Sequence, residues 1–354
     1  MGRKIFTILI FAILLLTGCA DPPSTTRKFL IGIGPIPRQF PGTEETWVEM
    51  FELIPETGDM VIAQNKWRDS KEESGTVPEI IRLLYQQDPT YGPYEIFYGI
   101  SFMEQGPGTL TTVLNMPLNP TNNWTNEDAQ EKYTRVAETI CRDYNPKYLA
   151  LAIEINTYYQ HPQGDKEDFL RFVEFYNHIY DSLKAKYPDT NICVTFQLEQ
   201  LRGLGEKSWG YAIEPEWELL ALFEGKLDVI AFTTYQFMEY ETPQDIPDDY
   251  YTSIIHELPE RYKTTPIVFS EIGWSSGRPD EQAQVDFLDI FLDQIASLDV
   301  RAIMWVMMHD LSPDPATYPG FSIGLKQYDG TPKKIWYTWK ALKEIPYTEQ
   351  PGDG

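Results

Sequence analysis

The stretch PIVFSEIGWSSGRPDEQAQVDFLDIFLDQIASLDVRAIMWVMMHD, residues 266–310, holds one complete repeat of the pattern that runs through this chain. Pro266–Trp274 is short and rich in β-branched and aromatic residues, and predicts a strand. Pro279–Leu298 carries apolar residues at three- and four-residue steps, and predicts a helix. Val300–His309 predicts the next strand. Working outward, the same alternation gives strands at Phe29–Pro37, Asp59–Trp67, Tyr94–Phe102, Tyr148–Asn156, Asn191–Glu199 and Leu227–Phe237. Helical spacing fills Thr43–Pro55, Val77–Gln87, Thr125–Tyr144, Lys166–Tyr187, Glu214–Phe223, Asp248–Tyr262 and Thr331–Ile345. Thr43, Asn126 and Asp165 stand at helix starts as capping residues, and Pro215 stands early in its helix. Eight strands, each followed by a helix, predict an α/β fold, a single (β/α)8 TIM barrel. An open doubly wound sheet also alternates, but it has fewer units and wants a Gly-rich phosphate turn. The early candidate, Ile31-Gly32-Ile33-Gly34-Pro35, puts Pro where that turn needs a free N–H.

The ends of the chain read differently. Arg3 and Lys4 precede an apolar run over residues 5–16, a signal-peptide core too short to span a membrane comfortably. The run closes on Leu16-Thr17-Gly18-Cys19, which resembles the bacterial lipobox. That resemblance implies a signal peptide over 1–18 and a lipidated tether over 19–27, with acyl chains such as palmitate on Cys19. More than one acyl chain holds a protein on a membrane surface, so the expected location is the bacterial cell envelope, facing periplasm or exterior. The barrel is then expected over 28–346, with a tail over 347–354.

The 354 residues carry 53 acidic and 29 basic side chains, a net charge of −24. Such a surface repels phosphate backbones, which argues against a nucleic-acid partner. Beyond Cys19 only Cys141 and Cys193 remain, and they read as buried free thiols. Four histidines, with no H-x-H pair, argue against a catalytic metal; no cofactor and a monomeric protein are expected.

In a (β/α)8 barrel the chemistry sits at the C-terminal ends of the strands. Two carboxylates stand there inside otherwise apolar strands. In Tyr148–Asn156 the alternation puts Ala150, Ala152, Glu154 and Asn156 on the small-residue face, which predicts Glu154 toward the axis. In Pro266–Trp274 both faces carry large residues, and only its place at the tip favours an inward Glu271. A charge buried without a partner costs several kcal/mol, so two of them in one mouth point to function. Gln64, Asn65, Trp67, Gln197, Glu199, Trp274 and His309 are further strand-end residues that could line a cleft. Trp67, Trp209 and Trp274 are candidate aromatic platforms for the apolar face of a ligand, each as readily a core residue. Glu199 reads either as an acceptor for a ligand hydroxyl or as a member of an ion pair.

The run LAIEIN, residues 151–156, resembles the acid/base segment of the clan A glycoside hydrolases, and SEIGWSS, residues 270–276, resembles their nucleophile segment. The latter looks most like the E-x-G-W/Y run of endo-β-1,4-galactanases and endo-β-1,3-glucanases. The resemblance implies a retaining glycoside hydrolase acting on a neutral poly- or oligosaccharide, with Glu271 as nucleophile and Glu154 as acid/base. It further implies that Tyr235 bonds the nucleophile and that Trp305 lies under the sugar ring. The clan carries Asn directly before its acid/base glutamate, on the sugar 2-hydroxyl; here Ile153 stands there, and Asn156 is the candidate substitute. The alternative is a catalytically inactive barrel that binds glycan as a surface lipoprotein. A substrate-assisted chitinase would need aspartates where Ala150 and Ala152 stand, and a purely structural envelope protein would make the two glutamates a coincidence.

Overall fold

The computed structural model describes residues 26–67, 94–106, 109–112, 123–314 and 319–350. Parallel strands β1 (Leu30–Ile33), β2 (Met60–Lys66), β3 (Glu95–Ser101), β4 (Tyr148–Ala150), β5 (Asn191–Cys193 and Thr195–Gln197), β6 (Ile230–Thr234), β7 (Ile267–Ile272) and β8 (Val300–Trp305) follow one another around a ring. The two pieces of β5 are separated by Val194 alone. One pairs with β4 and the other with β6, which carries the sheet around to β1 beside β8. This is the predicted (β/α)8 barrel. A small hairpin, Met103–Gly106 with Thr109–Thr112, follows β3.

Alternation along the strands sorts the core into two layers. Leu30, Met60, Ile62, Phe97, Ala150, Cys193, Ala231, Val268, Ala302 and Met304 fill the ring. A much larger layer lies between the strands and the helices. Helix Glu127–Tyr144 shows how the sequence builds that layer. Asn126 caps it by accepting from Ala129 N–H, and Ala129, Tyr133, Val136, Ala137, Ile140 and Cys141 form its buried stripe. Helices Glu44–Thr57 and Lys166–Lys186 start on Thr43 and Asp165, as expected. Cys141 and Cys193 are buried free thiols, as expected.

Two predicted helices come out differently. Asp248–Tyr262 is broken into Ile254–Glu257 and a 3-10 turn at Glu260–Tyr262, because Pro259 drives Leu258 out of helical geometry, to ψ 138°. Glu214–Phe223 is a 3-10 helix that begins only at Trp217, past Pro215. The Val77–Gln87 helix, Cys19 and its neighbours lie outside the described residues. At the foot of the barrel, Arg27 pairs with Asp59 at 2.6 Å and donates its backbone N–H to Pro346, tying the start of the domain to its end.

Candidate active site

Glu271 faces the mouth for a reason that alternation hides. Val268 points into the ring and Phe269 points outward. Strict alternation would then send Ser270 inward and Glu271 outward. Instead the β6–β7 register slips: Phe269 pairs with Phe232, and the next paired residue is Glu271, opposite Thr233. Ser270 is the extra residue, its hydroxyl donating to Phe232 C=O at 3.1 Å. The bulge swaps the faces and re-aims Glu271 inward, as bulges beside active sites commonly do.

Glu154 reaches the same mouth by a different route. Regular pairing of β4 stops at Ala150, short of the predicted Asn156. Glu154 takes up left-handed geometry, φ 51° and ψ 46°, and the short helix Ile155–Gln160 begins after it. That conformation costs a non-glycine residue roughly 1–2 kcal/mol. It is held by Thr195, whose hydroxyl accepts Glu154 N–H at 2.7 Å, and by the Thr157 N–H bond to Glu154 C=O at 2.9 Å. The predicted shared face for Ala152, Glu154 and Asn156 therefore does not exist. Ile153, expected to face the helices, instead leans toward Gly99 and is partly exposed.

The two carboxylates meet across β6. Thr233 stands level with Glu271 in the register, and its hydroxyl donates to Glu154 Oε1 at 2.6 Å. Adjacent strands are about 4.8 Å apart, so the residue that holds Glu154 stands beside Glu271 on the neighbouring strand. Glu154 is 9% and Glu271 8% exposed. Burial, reinforced by the Glu271 charge, pushes the Glu154 carboxyl up to about 8. Burial raises Glu271 as well, but hydrogen bonds from Tyr235 Oη and Gln64 Nε2 pull it back. Of the pair, Glu154 holds the proton and Glu271 the charge. Burial and the two glutamates raise Tyr235 well above its usual value, so it remains a donor.

The other sequence candidates sort sharply. Tyr235 and Gln64 join the carboxylates. Trp305, expected under a sugar ring, is fully buried against Trp339 and Phe287 and donates to Ile323 C=O at 2.7 Å. Trp274 is equally enclosed, against Phe237 and Phe287. Trp67 packs edge-on against Tyr133 in the outer core. At all three positions the side chain faces the helical layer, so none offers a face to a ligand. Trp209 is buried, and its Nε1 has no hydrogen-bond partner among the described residues. His309 is buried on Ile36 C=O, and burial lowers it to about 4.

Three polar candidates turn out to be framework. Asn156 accepts Gln197 N–H at 2.8 Å and donates to Gln197 C=O at 3.0 Å. Its amide takes the place of a strand partner that β4 no longer provides, and it does not reach the mouth. Gln197 caps the next short helix through Gln200 N–H. Glu199 is neither of its two expected things: it accepts from Thr234 at 2.7 Å, Tyr250 at 2.9 Å, Tyr235 N–H at 3.1 Å, Gln236 at 3.1 Å, and Gln197. These neutral donors satisfy it and pin the end of β5 to the end of β6. The side chain of Asn65 lies outside the described residues. Thr195 and Thr233 were not singled out in the sequence, since a threonine at a strand tip carries no distinctive signal. Among the described residues, no group of three His, Cys, Asp or Glu side chains could hold a metal ion.

No protein-family model matches the chain, and no curated protein matches it in sequence. Solved structures do match it. A GH5_18 variant from Bifidobacterium longum subsp. longum, in complex with Manβ1-4GlcNAc, aligns at 13% identity and a TM-score of 0.63, covering 91% of this chain and 80% of that one. A GH5_18 variant from Streptomyces cattleya with the same ligand gives 13% and 0.63, covering 92% and 82%. A family 39 glycoside hydrolase from Bacteroides cellulosilyticus WH2 gives 15% and 0.61, covering 90% of this chain and 64% of its own. What this chain shares with these glycoside hydrolases, at 13–15% identity, is the (β/α)8 fold.

Proposed function

We propose that the protein is a retaining glycoside hydrolase acting on a neutral poly- or oligosaccharide. The observation that carries this is a pair of buried carboxyls at the mouth of the barrel, Glu154 held by Thr233 and raised by burial and by the Glu271 charge, and Glu271 level with Thr233 on the neighbouring strand. Retention requires two carboxyls about 5–5.5 Å apart with opposite protonation. A carboxylate oxygen of Glu271 attacks the anomeric carbon while the glycosidic C–O bond breaks, and the leaving oxygen takes the proton of Glu154. The Glu154 carboxylate then removes a proton from water. The water oxygen bonds to the anomeric carbon, and Glu271 leaves as a carboxylate. The fold likeness to glycoside hydrolases supports the reading.

The direct test is a panel of 2-deoxy-2-fluoro β-glycosides with activated leaving groups, followed by peptide mass analysis. Covalent labelling on Glu271 is expected. No label and no turnover across the panel would leave the glycan-binding alternative standing. Replacing Tyr235 by Phe removes a donor to the nucleophile. A hydrogen bond to a charged group contributes about 1.5–3 kcal/mol, so kcat/KM falls by about 10–100-fold. The acidic limb of the pH profile moves upward as well, because Glu271 then loses its proton less readily.

We also propose that Cys19 is acylated and anchors the enzyme in the bacterial envelope. Cys19→Ser moves the full-length protein from the membrane fraction of its host to the soluble fraction, with turnover per molecule unchanged.

A further inference from the structure

We infer that Gln64 recognises the hydroxyl at C2 of the sugar under attack, and does so while steadying Glu271. The inference rests on the hydrolase reading above and gives it a specificity determinant on β2.

Gln64 is exposed in the mouth, whereas both carboxylates are nearly enclosed. Its Nε2 donates to Glu271 Oε1, and Tyr235 serves Oε2. A primary amide has two N–H donors and a carbonyl acceptor. The bond to Glu271 uses one N–H, and among the described residues nothing engages the second N–H or Oε1. C2 is one bond from the attacked carbon, so its hydroxyl comes within a few ångströms of the nucleophile's oxygens. An amide fixed on one of those oxygens is placed to meet it.

Among the described residues, the surroundings leave that task to Gln64 on this side of the mouth. Gln64 pairs in register with Gly99 of β3. A Cβ built on Gly99 would lie 2.9 Å from Ile153 Cδ1 and 3.6 Å from Gln64 Cγ. The bare glycine is therefore the floor of a gap in which Gln64 and Ile153 approach each other. Ile153 is partly exposed and purely hydrocarbon. It offers the sugar a contact surface and no hydrogen bond, while the adjacent amide has two unused polar positions. Bonds to the 2-hydroxyl strengthen in the transition state of glycoside cleavage and contribute several kcal/mol. Gln64 is placed to make one in concert with holding the nucleophile.

The experiment compares wild type with Gln64→Ala on matched 4-nitrophenyl β-D-glycosides and their 2-deoxy counterparts, in the gluco and galacto series. On the hydroxylated substrate kcat/KM is expected to fall by about 10²–10³-fold. On the 2-deoxy partner it falls by about tenfold, the share that comes from Glu271 losing one donor, at the low end of the range for Tyr235→Phe because water can replace the amide of an exposed Gln64. The acidic limb also moves up on both substrates. A role confined to structure or to Glu271 would lower both substrates equally, and that result overturns the inference while leaving the hydrolase intact. Absence of wild-type turnover on every substrate, with no fluoroglycoside label on Glu271, overturns both. Gln64 is exposed, so the variant should fold; a melting temperature within a few degrees of wild type makes the substrate comparison valid.

Discussion

Replacing Glu271 by Ala lowers kcat/KM by on the order of 10⁴-fold or more, the scale on which loss of a covalent nucleophile is measured. The reason lies in what the site is built around. Of the pair Glu154 and Glu271, it is Glu271 that receives donors on both carboxylate oxygens among the described residues, Gln64 on one and Tyr235 on the other. Those two donors favour its charged form and offset part of the burial that raises it. Removing it leaves two donors aimed at an empty space and an acid with nothing to assist. Its removal also abolishes fluoroglycoside labelling, which a variant that merely misfolded would not do selectively. Glu271→Gln separates the two effects: it keeps the shape and the contacts to Tyr235, removes the nucleophilic charge, and should be as inactive as the alanine variant. It also tests the electrostatic coupling. Without the Glu271 charge, Glu154 is held up by burial and Glu199 alone, so its titration moves down from about 8.

The barrel was legible in the sequence because its signal is periodic and distributed. Short β-branched runs alternating with amphipathic stretches leave few architectures, and capping residues such as Asn126 and Asp165 fix where helices begin. The identities of Glu154 and Glu271 were legible too, as acids at strand tips. Their inward orientation was expected as well, but the backbone that produces it was not. A bulge at Ser270 and a left-handed Glu154 each shift the alternation by one, and neither leaves a local mark in composition. The same shift misassigned Ile153 and Asn156. The tryptophans failed for a related reason: a strand tip has two faces, and Trp305, Trp274 and Trp67 all took the outer one. The bond between Gln64 and Glu271 spans 207 positions in the chain. Only ring closure brings those residues together, so no reading of local sequence could pair them.

Replacing Glu154 by Gln gives a loss that depends on the leaving group. For an alkyl or sugar leaving group, which needs its oxygen protonated, turnover falls by about 10²–10⁴-fold, the usual contribution of a positioned acid. For a glycosyl fluoride or dinitrophenyl glycoside the first step needs no proton, and formation of the Glu271 adduct continues at near wild-type rate. The adduct then accumulates, because the base that activates water is also gone, and a burst of leaving group should precede a slow steady state. The pH profile supplies a second signature. Wild-type activity on poor leaving groups declines as pH rises past about 8, where Glu154 loses its proton; in Glu154→Gln that limb disappears. Stability moves the opposite way. Glu154 holds its proton more tightly folded than unfolded, where 4.5 is its ordinary value. The folded state therefore binds the extra proton between those two pH values, and wild-type stability falls as pH rises through that window. Glutamine carries no such charge, so Glu154→Gln should melt higher than wild type at pH 8 and closer to it at pH 5. Slower catalysis, with its deficit largest below about pH 8 where wild-type Glu154 carries its proton, and a more stable fold whose advantage fades toward acid pH, are the combination expected of an acid kept protonated by burial beside a charged neighbour. A surface glutamate would give neither, and equal melting curves at both pH values would remove Glu154 from that role.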